Sequence, residues 1–305
     1  MNKIVPYIKY VKELQFDCKP KSMQLNVINR CASKCVFCKK WKWNLPDMPK
    51  ERIESLLIEF NDIGVETVLF SGGDPLLIKD DVWDIILKNQ GKLSYGMLTA
   101  GNVHFKRWDE IVPAFKWIRF SVDALDANIY KSIRGVVLNK FLMENLKAVS
   151  LRITNENQCR LNFVDLKGVN ETEKQKIENL AKELKISFKC HDVHTFTELG
   201  STWNAEVKKC IVPLLYAIIE CDGYVHSCCI IMDENNEYDK VRNDLSLGNI
   251  FEYNKFLDLW FSEKAQIQKK KLMDAQLDYC KKWCLPRYYE VNHEYHKLKD
   301  GGIFL

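Results

Sequence analysis

From about residue 23 to 193, short apolar runs alternate with segments of helical period. "MQLNVI" (23–28) predicts a strand, and beyond a cysteine-bearing loop "KERIESLLIEFNDIG" (50–64) predicts a helix that stops at Gly64. "VETVLFSGG" (65–73) then predicts a strand and loop, followed by the helix "KDDVWDIILKNQG" (79–91). "LSYGMLTAGN" (93–102) and "WIRFSVDAL" (117–125) repeat the strand signal, "NKFLMENLKAVS" (139–150) reads as a helix and "CRLNFVDL" (159–166) as a strand. "ETEKQKIENLAKELK" (171–185) and "ISFKCHDV" (186–193) add a last helix and a sixth strand. Six such units in succession predict a parallel sheet with right-handed crossovers. They are too few for a closed eight-stranded barrel. The expected fold is α/β, an open partial (β/α)6 TIM-like barrel.

Alternate strand positions separate into two sets. One holds Gln24 and Asn26, Thr67 and Ser71, Tyr95 and Thr99, Arg119, Ser121 and Asp123, Arg160 and Asn162, and Lys189 and His191. The other holds Leu25, Val27, Val68, Phe70, Ile118, Phe120, Leu161, Phe163, Phe188 and Cys190. Strands of a filled barrel are apolar on both faces. A polar inner face therefore predicts a cavity for a polar cofactor and substrate, against the plainer reading that these residues solvate the barrel's open ends. Tyr95, Arg119, Arg160, Asn162, Lys189 and His191 are its expected substrate-facing members.

After about residue 195 the alternation ends. "CIVPLLYAIIECDGYVHSCC" (210–229) predicts a β-hairpin turning at Asp222–Gly223, a helical stretch spans about 252–273, and "CKKWC" occupies 280–284. The expected organisation is an N-terminal segment (1–22), the partial barrel (23–195) and a smaller cysteine-rich module (196–305).

Composition narrows the function class. Apolar residues are 47% and charged residues 28% of the 305, and the net charge is +4 with lysines scattered rather than interleaved with aromatics. That argues against a nucleic-acid partner. The run "KKK" at 269–271 reads as a solvated helix face. No apolar stretch is long enough to span a membrane, and "MNKIVPYIKYVKELQF" is broken by Pro6, Lys9, Lys12 and Glu13 and is no signal peptide. The expected location is the cytoplasm. Disulfides are rare there, so twelve cysteines point to metal or redox chemistry.

Three of the cysteines, Cys31, Cys35 and Cys38, are spaced C-x3-C-x2-C in the loop after the first strand. Three thiolates can hold three irons of a [4Fe–4S] cubane and leave the fourth iron open. Zinc wants four ligands, and thioredoxin-type redox chemistry has no use for a third thiol. The loop resembles the signature of the radical S-adenosylmethionine (radical SAM) superfamily, C-x3-C-x-aromatic-C, with Phe37 as the aromatic. "FSGGDP" (70–75) resembles the family's Gly-Gly-Glu-Pro segment, and by that resemblance Gly72, Gly73, Asp74 and Pro75 hold the methionine amino group of SAM, with Asp74 replacing the usual glutamate. "IRFSVDALDANIYKSIRG" (118–135) resembles the fourth-strand segment. It implies Ser121 and Asp123 near the ribose and methionine carboxylate, and Arg134 or Asn102 as carboxylate ligands; a surface ion pair is the competing role for Arg134.

Cys210, Gly223 and Cys228, spaced C-x12-G-x4-C, with the later Cys280 and Cys284, resemble the twitch/SPASM extension that holds an auxiliary [4Fe–4S] cluster. No cysteine follows Cys284, which favours one auxiliary cluster of twitch type; zinc on the same thiols is the alternative. Cys229 competes with Cys228 as ligand, since adjacent residues of a strand point to opposite sides. Cys221 is either a hydrogen-atom donor or a turn residue, and Cys18, Cys159 and Cys190 read as buried small hydrophobes.

The resemblance implies an enzyme. One electron from a flavodoxin- or ferredoxin-type donor, passed through the cluster, cleaves SAM to methionine and a 5′-deoxyadenosyl radical, which abstracts a substrate hydrogen atom. The implied substrate is a ribosomally made peptide undergoing crosslinking, epimerisation or oxidation. The alternative is dehydrogenation or epimerisation of an aminoglycoside-type or other small molecule. Only about 22 residues precede the first strand, fewer than a peptide-recognition domain needs, which counts against the peptide. Arg119, Arg160, Lys189 and His191 suit an anionic substrate. A zinc- or iron–sulfur-binding protein without SAM chemistry is the reading from outside this class.

Overall fold

The structure is a computed structural model and describes residues 5–38, 40–192, 209–228 and 246–274. Cys229, Cys280 and Cys284 lie outside the described residues.

Six parallel strands follow one another in chain order: β1 (Ser22–Ile28), β2 (Thr67–Gly72), β3 (Ser94–Thr99), β4 (Phe115–Ser121), β5 (Cys159–Asp165) and β6 (Ser187–Asp192). Among them run α2 (Lys50–Ile63), α3 (Asp80–Lys88), α4 (Trp108–Ala114), α5 (Ala127–Arg134), α6 (Lys140–Ser150) and α7 (Glu171–Glu183). Helix α2 ends at Gly64 with φ +82°, a left-handed cap that leaves a residue without Cβ unstrained. A short N-terminal helix, α1 (Val5–Leu14), which the apolar pattern did not single out, packs Ile8 and Val11 against Cys18, Ile211, Leu214 and Met273.

The second module continues the same sheet. Strand β7 (Tyr216–Ile219) pairs parallel with the free edge of β1, and β8 (Tyr224–His226) and β9 (Ser246–Asn249) follow antiparallel. The order is β6-β5-β4-β3-β2-β1-β7-β8-β9. The expected hairpin turns at Gly223, whose φ of +87° suits glycine. Helices α8 (Phe256–Trp260) and α9 (Glu263–Met273) occupy the expected helical stretch.

The apolar alternate set forms the layer between sheet and helices: Leu25, Val27, Val68, Phe70, Ile118, Phe120, Leu161 and Phe163 are buried in one continuous core, with Phe188 and Cys190 at its margin. Strand β3 corrects the polar set. Tyr95 belongs to this core: it is fully buried, stands edge-on to Phe70 with ring centroids 5.0 Å apart, and donates its hydroxyl to the Ile86 carbonyl at 2.9 Å. Thr99, on the same side, is also buried. A β-bulge explains the neighbouring strand: Tyr95 pairs with Phe115 but Gly96 with Trp117, so Lys116 is extra. Phe115 thereby joins the core, while Trp117, Arg119 and Ser121 share the opposite face.

The lysine run is corrected too. Lys270 and Lys271 are exposed, but Lys269 is fully buried, donating to the Trp260 carbonyl at 2.9 Å with its ammonium 4.1 Å from the Trp260 ring. Among the described residues no helix is long and apolar enough to cross a membrane.

Candidate functional site

The cysteine loop leaves β1 at its C-terminal end and is fixed from two sides. Asn29 donates to the carbonyls of Lys40 and Trp43, closing the loop on itself. Lys34 and Val36 donate backbone N–H groups to the carbonyls of Arg134 and Ile133 at 2.7 and 2.9 Å, which bind the loop to the C-terminal turn of α5. Each thiol receives an N–H donor. Ser33 N–H points at Cys31 Sγ (3.4 Å), Arg134 Nη1 at Cys35 Sγ (3.4 Å), and the Lys40 and Trp41 backbone N–H groups at the Cys38 thiol.

Burial, reinforced by the charges of Asp74 and of Cys35 and Cys38, pushes the Cys31 thiol up to about 12. Burial and the neighbouring Cys35 raise Cys38 as well. Without a metal the loop thus disfavours thiolates, and ligation must expel protons.

The Gly-Gly-Asp-Pro segment lies against the start of this loop. Gly73 N donates to Ile28 O and Asp74 N to Arg30 O, both at 2.9 Å. A Cβ on Gly73 would stand 1.9 Å from Arg30 O, so only glycine permits this approach. Asp74 is buried and its carboxylate is occupied: Oδ1 accepts from Thr99 Oγ1 (2.6 Å) and Leu76 N (3.1 Å), Oδ2 from Ala100 N (3.2 Å). Asp74 therefore joins the ends of β2 and β3. Pro75 opens the short turn that follows.

Asp123 and Arg134, two separate expectations from the sequence, form one buried ion pair. Asp123 Oδ1 also accepts from Val164 N at 2.9 Å, and the Arg134 guanidinium lies 5.6 Å from the centre of the Phe37 ring. Burial alone would lower Arg134, but the charges of Asp123 and Cys35 outweigh it and hold the guanidinium protonated. Asn102 is committed to the segment after α5, donating to Val137 O and accepting from Asn139 N, both at 3.4 Å. Ser121 stands half-buried at the end of β4, in register with Asn162.

Several residues of this site carried no signal in the sequence. Tyr130, on the buried face of α5, brings an unpartnered hydroxyl close enough to feel the charges of Arg134, Cys35, Asp123 and Asp74. Asn170 bridges the Asp123 and Val164 carbonyls (2.9 Å each), and Asn145 bridges those of Gly101 and Val103. Only their polar character at buried helix positions could have flagged them.

The polar strand face includes residues of β1, β4, β5 and β6. Asn26, whose Nδ2 has no partner, lies below the cysteine loop. Arg119, two residues before the end of β4, stands in register with Arg160, the second residue of β5, and donates to Asn157 O at 3.1 Å. Arg160 donates to Asn162 Oδ1 (2.9 Å), and Lys189 and His191 share that face on β6.

In the second module Cys210 and Cys228 are half-buried, with Cys210 N bonded to Met273 O at 2.7 Å. Cys221 is 1% exposed in the core with Val225 and Leu247, and burial, with Glu220 and Asp222, pushes its thiol up to about 12. That environment is a packed interior, without the access a hydrogen donor needs.

The donor set suits an iron–sulfur cluster. All nine described cysteines are free thiols, and among the described residues no three His, Cys, Asp or Glu side chains converge on a point as one metal ion requires. A cubane asks for something else: three thiolates on three irons, with N–H groups directed at the sulfurs. Unpartnered buried polar atoms, Asn26 Nδ2, Ser33 Oγ, Tyr130 Oη and Arg134 Nε, surround the loop as they would a polar cofactor.

Comparison with known proteins agrees. Residues 25–184 match the Radical SAM superfamily and residues 210–284 an iron-sulfur cluster-binding domain, SPASM. The chain is 29% identical over 178 residues to a GTP 3',8-cyclase of Clostridium botulinum, and 30% identical over 156 residues to a probable GTP 3',8-cyclase of Archaeoglobus fulgidus. These alignments cover 54% and 50% of this chain, and 54% and 51% of those proteins, so the chain spans about half the length of the curated relatives it matches. Its fold is similar to Streptococcus suis SuiB bound to S-adenosylmethionine (TM-score 0.63, 16% identity, 85% of this chain and 69% of that one). It is also similar to anSMEcpe with bound AdoMet (TM-score 0.59, 14% identity, 92% of this chain and 98% of that one). The chain belongs to the radical SAM superfamily and carries a SPASM domain, with S-adenosylmethionine, a [4Fe–4S] cluster and an auxiliary iron–sulfur cluster as its cofactors.

Proposed function

We propose that this protein abstracts a hydrogen atom from an unactivated C–H bond of a ribosomally made peptide, leading to a crosslink, an epimerised centre or an oxidised residue. The observation that carries the radical reaction is the loop of three thiols, each facing an N–H donor and none paired in a disulfide. Bound there, the cluster and SAM supply a 5′-deoxyadenosyl radical by one-electron cleavage of SAM. Cys31, Cys35 and Cys38 hold the cluster. Arg134 keeps a positive charge beside Cys35, and Asp123 orients Arg134. Gly72 and Gly73 bring backbone next to the loop, and Asp74 fixes that approach. The polar strand face receives the substrate, and burial of the loop's surroundings keeps water away. Cys210, Cys228, Cys280 and Cys284 hold the auxiliary cluster, and a flavodoxin- or ferredoxin-type protein provides the electron.

Two observations support the peptide. Among the described residues the sheet is open, with β6 and β9 at its edges, an arrangement that suits lateral entry of an extended substrate. SuiB, a fold relative, has been solved bound to its precursor peptide SuiA. A second reading, a phosphorylated small molecule, is favoured by the relatives named for a GTP cyclase and by Arg119 and Arg160 on the inner face.

The test is anaerobic reconstitution, with iron and sulfide quantified and 5′-deoxyadenosine formation measured with a strong reductant. Cys31, Cys35 and Cys38 are then all replaced by alanine. About eight irons falling to about four, with loss of deoxyadenosine, is the expected result. Zinc in place of iron, or an intact cluster that never cleaves SAM, would sink the assignment.

A further inference from the structure

Seven arginines lie among the described residues, and five stand against a carboxylate: Arg30 on Asp47, Arg52 on Glu59, Arg107 on Asp84 and Glu110, Arg134 on Asp123 and Arg152 on Asp109. The two that do not are Arg119 and Arg160. They are register partners on adjacent parallel strands, so their side chains leave the same face of the sheet side by side. Both are half-buried. Their hydrogen bonds go to neutral oxygens only, Arg119 to the Asn157 and Ile118 carbonyls and Arg160 to the Asn162 amide. Lys189, in register with Asn162 on the next strand, adds a third cation to that face, again with no carboxylate among the described residues.

Two like charges at neighbouring positions of a half-buried face repel, and burial adds a desolvation cost to each. Arg119 shows the result, pushed down to about 10 by burial and by the charge of Arg160. A fold that neutralises the other five described arginines bears this cost where an anion is to be bound. The surroundings are built for one. The Trp117 ring lies under the Arg119 guanidinium, 5.1 Å from its centre, and occupies the space that a side chain at residue 96 would take. A Cβ on Gly96 would be 2.2 Å from that ring.

We propose that Arg119 and Arg160, with Lys189 at the rim and Trp117 as the floor, receive an oxyanion of the substrate, a phosphate or a carboxylate. This rests on the reading that the polar strand face is the substrate cavity. The position adds a length requirement. Asp123, four residues beyond Arg119, belongs to the cysteine-loop end of the barrel, and at about 3.3 Å per residue the two levels are on the order of 13 Å apart. The substrate is therefore elongated, with its anionic group about that far from the reacting carbon. The phosphate chain of a nucleotide and an acidic side chain of an extended peptide both meet this requirement; a free amino acid does not.

The experiment is differential labelling of the reconstituted holoenzyme with phenylglyoxal, mapped by peptide mass spectrometry. Inorganic pyrophosphate and a neutral-capped Glu-Glu dipeptide serve as separate protecting probes. Labelling of Arg119 and Arg160 should slow at least five-fold with one of them, while Arg152, on the outer surface, is unaffected. Protection by pyrophosphate alone identifies a phosphorylated substrate, and protection by the dipeptide alone an acidic peptide. In equilibrium dialysis, R119Q and R160Q should bind the protecting probe at least ten-fold more weakly, and R152Q as the unaltered protein does. Absence of protection by both probes, or unchanged binding in R119Q and R160Q, overturns the proposal. Probe binding needs no SAM cleavage. A holoenzyme that fails to form deoxyadenosine yet protects both arginines would remove the radical reaction and leave the anion site standing.

Discussion

Lys40 Nζ lies 2.6 Å from Glu220 Oε1, across 180 residues of chain. Lys40 follows Cys38 by two residues, and Glu220 immediately follows β7. Both side chains are buried, at 11% and 2% exposure, and the ammonium also stands 5.6 Å from the Trp43 ring. The pair ties the cysteine loop to the hairpin of the second module. It is worth less as energy than as geometry, because a buried ion pair largely repays its own desolvation.

Breaking this pair on one side leaves a buried charge alone. K40M and E220Q should each destabilise the protein by about 3–5 kcal/mol, while the double variant recovers much of the loss. Urea unfolding of the four proteins measures the cycle. Additive losses would show that the two side chains act independently.

Tyr95 is a core residue whose hydroxyl serves one carbonyl. Y95F should cost about 1 kcal/mol by leaving Ile86 O without its partner. It should leave substrate affinity unchanged. A raised KM with unaltered stability would return Tyr95 to the cavity.

Both misplaced residues of β3 went wrong for the same reason. In "SYGMLT" the hydroxyls of Tyr95 and Thr99 mark a polar face, yet each is satisfied locally, by Ile86 O and by Asp74. An aromatic body with a satisfied polar tip packs as a hydrophobe. The cysteine loop and Gly-Gly-Asp-Pro were legible because their spacing is local and their residue types have few other uses. The polar strand residues Arg119, Arg160 and Asn162 were legible because β5, and β4 beyond its bulge at Lys116, alternate cleanly. Lys40–Glu220, Tyr130 and Asn170 were not, since nothing in a single sequence pairs residues so far apart. Lys269 misled because one member of an exposed-looking run turns inward under Trp260.

Lys269 gives the molecule a pH signature. Burial pushes it down to about 8 from an ordinary 10.5. Below pH 8 native and unfolded states both hold the proton, and the cost of the buried charge is fully present. Between about 8 and 10.5 the unfolded chain binds more protons, so this residue's contribution to stability rises with pH, by about 3 kcal/mol at most. Cys18, raised to about 11, acts in the opposite sense over pH 9–11. The difference between the unaltered protein and K269M isolates the lysine. Urea unfolding at pH 7 and pH 10 should show the two proteins converging or reversing in order as pH rises; a constant difference would place the charge in water.

Gly96 makes room for Trp117. G96A should cost about 1–3 kcal/mol by overpacking and move the indole from beneath Arg119. Tryptophan fluorescence and thermal melting report both effects. An unchanged melting temperature would mean that the ring has free space to retreat into.

Strand β1 has β2 on one side and β7 on the other. Its second flank is supplied from much later in the chain and does not exist until Ile219 has been made. The strand that launches Cys31, Cys35 and Cys38 therefore stays half-covered until β7 exists, and Lys40 finds Glu220 only then. The brace that the second module gives to the thiol loop is therefore absent until both halves have met.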